Sequence, residues 1–100
     1  MLQILKTPRD DLVAVGTSSV ELSPETNTQR NVIVITNTST GGQLITLAFA
    51  KEAVSGKGIV LFPTGAWAES IDSAFRPSNA RITAIASGAG GQITIHERVE

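Results

Sequence analysis

The chain has 100 residues, eight basic against nine acidic, a formal net charge of -1, 41% hydrophobic residues, 4% aromatic residues and no cysteine. That length makes one domain, which buries roughly two-thirds of its unfolded surface in a single core. The charge balance excludes the basic surplus of a non-specific nucleic-acid binder and the Lys/Arg block of a membrane-surface binder, and the missing cysteines exclude disulfides and thiolate metal sites.

With so few aromatic residues, the core must be built from Val, Ile, Leu and Ala. The first residues, Met1-Leu2-Gln3-Ile4-Leu5-Lys6, lack the basic and long apolar regions of a secretory signal, and no apolar run approaches transmembrane length. The chain is therefore expected to be made in a cytoplasm.

In chain order, Met1 to Asp10 reads as an arm or a first edge strand, with Pro8 expected to stop regular structure. Residues 11–100 read as the folded domain. Asp11 to Gly16 is extended. Ser18-Ser19-Val20-Glu21-Leu22 alternates, with Val20 and Leu22 inward, and Ser23-Pro24 breaks it. Arg30 to Ala50 reads as a central β-hairpin. Its unbroken Val32 to Ile35 run suits a strand covered on both faces, and its turn is rich in Thr, Ser, Asn and Gly. Lys51 to Gly58 is a polar connection. Gly58 to Phe62 is a strand turned by Pro63-Thr64-Gly65, and Ala66 to Ile71 returns. Asp72 to Ala80 is a loop with Phe75 as its apolar anchor. Arg81 to Ser87 alternates, Gly88 to Gly91 turns it, and Gln92 to Val99 closes the chain as a strand.

Seven or eight short antiparallel strands at roughly ten-residue spacing predict an all-β protein, a single β-sandwich of jelly-roll or immunoglobulin-like topology. Parallel pairing would need crossover helices of a dozen or so residues, and no segment has that pattern. Gly41-Gly42-Gln43-Leu44-Ile45-Thr46-Leu47 echoes Gly90-Gly91-Gln92-Ile93-Thr94-Ile95-His96. Two hairpins using glycine for positive φ, with Gly41 and Gly91 as candidates, is the simpler reading; a duplicated strand pair is the alternative.

No motif carries evident chemistry. His96 is the only histidine; it lies near a strand end, and no Gly-x-Ser-x-Gly elbow accompanies it. One imidazole without thiolates cannot build a zinc or iron site. The acidic pairs Asp10-Asp11, Glu69 with Asp72, and Glu97 with Glu100 lack calcium-loop spacing and read as solvated surface charge. The glycine pairs open no helix that would cradle phosphate. Asn37-Thr38-Ser39 matches a glycosylation sequon by chance. Trp67, set among small neighbours, is either a core residue or an exposed platform for a sugar ring or another subunit. These residues predict a protein that is not an enzyme and uses no cofactor or metal.

The segments Arg30-x-Val32-Ile33-Val34-Ile35-Thr36-Asn37-Thr38-Ser39, Ile45-Thr46-Leu47-Ala48, Gly58-Ile59-Val60-Leu61-x-Pro63-x-Gly65, Phe75-x-Pro77 and Ile82-x-Ala84-Ile85-Ala86-Ser87 together resemble a layout of small virion proteins of tailed bacteriophages and related viruses. The likeness spans roughly residues 28 to 99. It implies a structural protein of the virion that decorates the head as a cement, or serves as a head-fibre or tail-associated module. Such a protein would bind major capsid or tail proteins, self-associate, and touch neither nucleic acid nor membrane. Met1, Leu2, Ile4, Leu5, Trp67 and Phe75 are then the candidate partner contacts. The alternative is a glycan-binding β-sandwich module with Trp67 in its site.

Overall fold

The computed structural model describes residues 7–25, 30–70 and 79–99. Eight strands follow in order: β1 (Thr7–Val15), β2 (Val20–Ser23), β3 (Arg30–Asn37), β4 (Ile45–Phe49), β5 (Ile59–Leu61), β6 (Ala66–Ser70), β7 (Ile82–Ala86) and β8 (Gly91–Val99). They form two four-stranded antiparallel sheets, ordered β1-β8-β3-β6 and β2-β7-β4-β5. The protein is an all-β sandwich.

The strand order decides between the two topologies that the sequence left open. The first strand pairs with the last, β2 with β7, β3 with β6 and β4 with β5. This nested pairing is a jelly roll, one long hairpin rolled up until its two halves face each other. An immunoglobulin-like sandwich does not nest its strands in this way.

It also corrects the predicted hairpins. β3 and β4 lie in opposite sheets, as do β5 and β6, and β7 and β8. Of consecutive strands, only β4 and β5 share a sheet. The other connections carry the chain across the roughly 10 Å between the layers. Turn residues between two strand-like runs look alike in sequence whether the chain reverses within a sheet or steps to the facing one.

The two echoed glycine segments are two such crossings, and they lie side by side. Ser87 N donates to Leu44 O at 2.9 Å, and Gln43 Nε2 donates to Ala89 O at 2.7 Å. Positive φ falls on Gly42 (81°) and Gly90 (85°), one residue from the glycines expected to need it.

Pro8 does not stop β1, which runs on to Val15. β1 is an edge strand, and an edge leaves one side of the backbone without a ladder, so a missing N–H is tolerated there. The division between residues 10 and 11 therefore falls inside a strand.

The core is aliphatic. Val15, Ile33, Ile35, Ile93 and Ile95 from one sheet meet Leu22, Ile45, Leu47, Leu61, Ile82, Ala84 and Ala86 from the other. In β3 burial alternates: Ile33 and Ile35 are sealed, while Val32 and Val34 point away from the core and stay partly exposed. The unbroken β-branched run is thus not covered on both faces, because no second layer of described residues lies on that side of the sheet. The opposite sheet differs. Thr46 and Thr83 point outward yet are buried beneath residues 50–58. Thr46 Oγ1 accepts from Gly56 N, and Thr83 Oγ1 donates to Lys51 O at 2.7 Å.

Ile35→Asp places a charge in the sealed layer and should cost about 4 kcal/mol or more, leaving insoluble protein. Val34→Asp, on the next residue but the other face, should cost less than about 1 kcal/mol. Urea titrations of both variants check this; equal losses would mean that the two faces are equivalently buried.

Candidate functional site

Met1, Leu2, Ile4, Leu5 and Phe75 lie outside the described residues. Trp67 is the one candidate contact that can be placed. It sits opposite Ile35 in the β3·β6 register, so its ring turns toward the facing sheet. There it meets Phe49 of β4 edge-to-face, with ring centroids 5.1 Å apart at 66°, and packs against the aliphatic core while keeping partial exposure. The pair joins the two layers near the β6 edge.

The end of the sandwich where β8 finishes holds a buried ionic cluster, which corrects the reading of Glu97 as solvated charge. Glu97 is 5% exposed and Arg30 1%. Arg30 Nε donates to Glu97 Oε2 at 2.5 Å, and Ser23 Oγ donates to the same oxygen at 2.8 Å. Arg30 Nη2 donates to Ser23 Oγ (2.8 Å) and Pro24 O (3.2 Å), and Nη1 to Ala80 O (3.2 Å). Arg9, opposite Glu97 in the β1·β8 register, donates to Glu97 Oε1 at 3.2 Å and to Leu22 O at 3.0 Å.

Local irregularities accompany this arrangement. β2 shifts register between Glu21 and Ser23, burying both Leu22 and Ser23. β3 shifts between Arg30 and Val32. Sequence reasoning missed the cluster because its members are scattered over residues 9 to 97. The available signal was Glu97 itself, which continues the inward alternation of Ile93 and Ile95.

Burial pushes the Glu97 carboxyl upward, but the bonds from Ser23, Arg30 and Arg9 outweigh it and hold the group below its ordinary value of 4.5. A carboxylate with a lowered folded value adds stability that is full above its unfolded value. That stability is lost as pH falls through the folded value. Glu97→Gln should destabilise by about 3 kcal/mol near neutral pH, because Arg30 is left buried without a counter-ion. The gap between wild type and variant should narrow between about pH 5 and about pH 3, as seen by chemical denaturation at stepped pH. A gap constant over that range would show that Glu97 charge does not stabilise the fold.

The outward face of the β1-β8-β3-β6 sheet carries the other candidate. Its register sets two rows side by side: Asp10, His96, Val34 and Ala68, then Leu12, Thr94, Thr36 and Ala66. Asp10, Asp11, Val34, Thr36, Thr94, Ile95 and His96 line an open depression of about 380 Å³. Arg98 Nε donates to His96 Nε2 at 3.1 Å, which places the imidazole proton on Nδ1, donating to Asp10 Oδ1 at 2.6 Å. Nε2, the atom a general base would use, is thus engaged. Among the described residues, no three His, Cys, Asp or Glu side chains gather to hold a metal ion.

Asn37 is a third feature that the sequence hid behind its sequon. It is fully buried, and its Nδ2 donates to Gln43 O (2.8 Å) and Leu61 O (2.9 Å), while Oδ1 accepts from Ser39 N (3.0 Å). Its backbone accepts from Thr64 N and donates to Gly65 O. The amide a glycan would need is committed to holding the β3–β4 crossing against the β5–β6 turn. Asn37→Ala should cost about 2 kcal/mol by leaving the buried Leu61 carbonyl and the half-buried Gln43 carbonyl without their donor, read as a lowered melting temperature.

Fold and sites together define a jelly-roll β-sandwich with one ionic end and one open sheet face. No family model and no curated protein matches the sequence. Among solved structures, the crystal structure of PirA is 20% identical, with a TM-score of 0.51, covering 95% of this chain and 96% of that one. The solution structure of a de novo designed double-stranded β-helix is 14% identical, with a TM-score of 0.44, over 95% of this chain and all of that one. At such identity the PirA likeness speaks for the fold alone.

Proposed function

We propose that the protein is a non-enzymatic virion structural protein that binds a capsid or tail lattice and stabilises or decorates the particle. The observation that carries this reading is the asymmetry of the two outer faces. The chain covers one with its own residues 50–58 and leaves the other open, with Val32, Val34, Ala66 and Ala68, and Leu12 65% exposed, around the mutually bonded Asp10, His96 and Arg98. An open face spanning four strands, its charges bonded to one another and short apolar groups around them, suits a neighbour. The jelly roll is a recurrent capsid fold, which is an argument by analogy, and the sequence resemblance points the same way. Such a protein acts by burying surface on its neighbours and stabilising them by mass action.

The depression beside Asp10 and His96 favours a second reading, a glycan-binding module. Its hydroxyls, carboxylates and the Val34 side chain match the mixed surface of a sugar, although no Phe or Trp ring lines it.

Two measurements separate the readings. Electron microscopy of a purified particle should place the chain on the shell or tail, and Val34→Asp should lower its retention at least roughly tenfold while the free domain stays folded. A glycan array probed with the intact domain should show no hit that depends on His96 or Thr36. Full retention of the variant together with such a hit would replace the lattice reading by the glycan one.

A further inference from the structure

The loops joining β1 to β2, β3 to β4, β5 to β6 and β7 to β8 meet at one end of the sandwich. The register requires it: Val15 lies opposite Gly91, Asn37 opposite Ile93, Thr36 opposite Ala66, and Ile45 opposite both Leu61 and Ala86. These loops are residues 16–19, 38–44, 62–65 and 87–90, and together they contain no Asp, Glu, Lys, Arg or His. They are Gly, Ser, Thr, Ala, Pro, Gln and Leu, with one large exception. Phe62 stands at the surface, 66% exposed.

This end is rigid. Asn37 fixes the 62–65 turn from below, and Gly65 N donates to Phe62 O at 2.7 Å. Thr64 is held at φ 67°, a conformation that costs a non-glycine residue of order 1 kcal/mol or more and persists only when its surroundings enforce it. The adjacent crossings are bonded to each other, with Leu44 N donating to Ser87 Oγ and Ala86 N to Gly16 O. A buried asparagine and a strained threonine thus hold in place a loop that displays phenylalanine to solvent.

We infer that this uncharged end is a two-fold contact surface for a second copy of the same chain, with Phe62 as its anchor. In a two-fold contact the same patch meets itself, so charge near the axis meets like charge. Charge depletion around an aromatic residue is the composition of an interface centre. The polar groups here are hydroxyls and amides, which donate and accept, so identical groups can bond across the axis where two ammonium groups or two carboxylates cannot. A membrane fits worse, since no cation adjoins Phe62 in these loops to engage headgroups. The cross-section of 24 × 21 Å gives an end of roughly 500 Å² and thus about 1,000 Å² for the pair, at the lower limit of specific interfaces. The association is therefore weak and concentration-dependent. It does not depend on the virion reading.

Analytical ultracentrifugation of the purified chain from about 10 μM to about 1 mM is the test. Wild type should shift from monomer toward dimer across that range, with the constant changing less than about twofold between low and high salt, since no charges cross the contact. Phe62→Asp and Thr40→Arg each place like charges against each other at the axis and should weaken association at least roughly tenfold, with unchanged melting temperature. Lys51→Glu, on the connection at the opposite end, should leave it intact. A wild type that stays monomeric, or a dimer that survives both Phe62→Asp and Thr40→Arg, would overturn the assignment. So would a dimer lost equally on Lys51→Glu.

Discussion

The Arg30–Glu97 pair is the contact around which one end of the sandwich is arranged. Removing two charges from water costs several kcal/mol per ion, so the pair is tolerable only with its remaining hydrogen-bonding capacity satisfied. Ser23 Oγ, Pro24 O, Ala80 O and Arg9 supply that satisfaction. They come from β1, β2 and the segments flanking β2 and β7, so the pair draws in both sheets. The register shifts at Ser23 and Arg30 are local departures that let these groups converge. A well-packed apolar substitute of equal volume would be about as stable. What the charges add is direction: a guanidinium has only a few positions in which its donors meet acceptors, while aliphatic side chains slide.

Away from that end, stability is aliphatic. Twelve buried residues from both sheets form one cluster, and the Phe49–Trp67 ring pair sits at its margin. A layer of Val, Ile, Leu and Ala has no polar atoms of its own to fix how one sheet lies on the other. The neutral end performs that task with hydrogen bonds, through Asn37 and the bonded crossings. The molecule is thus fastened at its two ends by different chemistry, ion pairing at one and amide and hydroxyl bonding at the other.

This division also separates the surfaces open to partners. The ionic end spends Arg9, Arg30 and Glu97 on one another. The neutral loop end carries no charge, and the open sheet face sets short apolar groups around the paired Asp10, His96 and Arg98. They meet at roughly right angles, so a lattice neighbour on the face and a second copy at the end would not compete for the same residues.

Strand content was legible in the sequence because it is local. The alternation in Ile82 to Ala86 and the β-branched runs report strands wherever they end up, and the strands fall in segments that read as extended, except that β1 begins before Pro8, where a break was expected. The inward side of Leu22 was legible for the same reason, since a two-residue period assigns sides, whereas the unbroken Val32 to Ile35 run hid which of its faces is buried. The pairing was not legible. A turn such as residues 38–44 has the same composition whether it reverses a strand or carries it to the opposite sheet. Only the competition of all eight strands for partners places β1 beside β8. The ionic cluster was hidden likewise, because a carboxylate at residue 97 reads as surface until β2 and β3 bring Ser23 and Arg30 to it. The sequence by itself determined where most strands form and, where residues alternate as in β2 and β7, which side is apolar, because those depend on neighbours along the chain. Tertiary structure alone decided which strands pair, which charges are buried, and that four uncharged loops share one end, because those depend on residues distant in sequence.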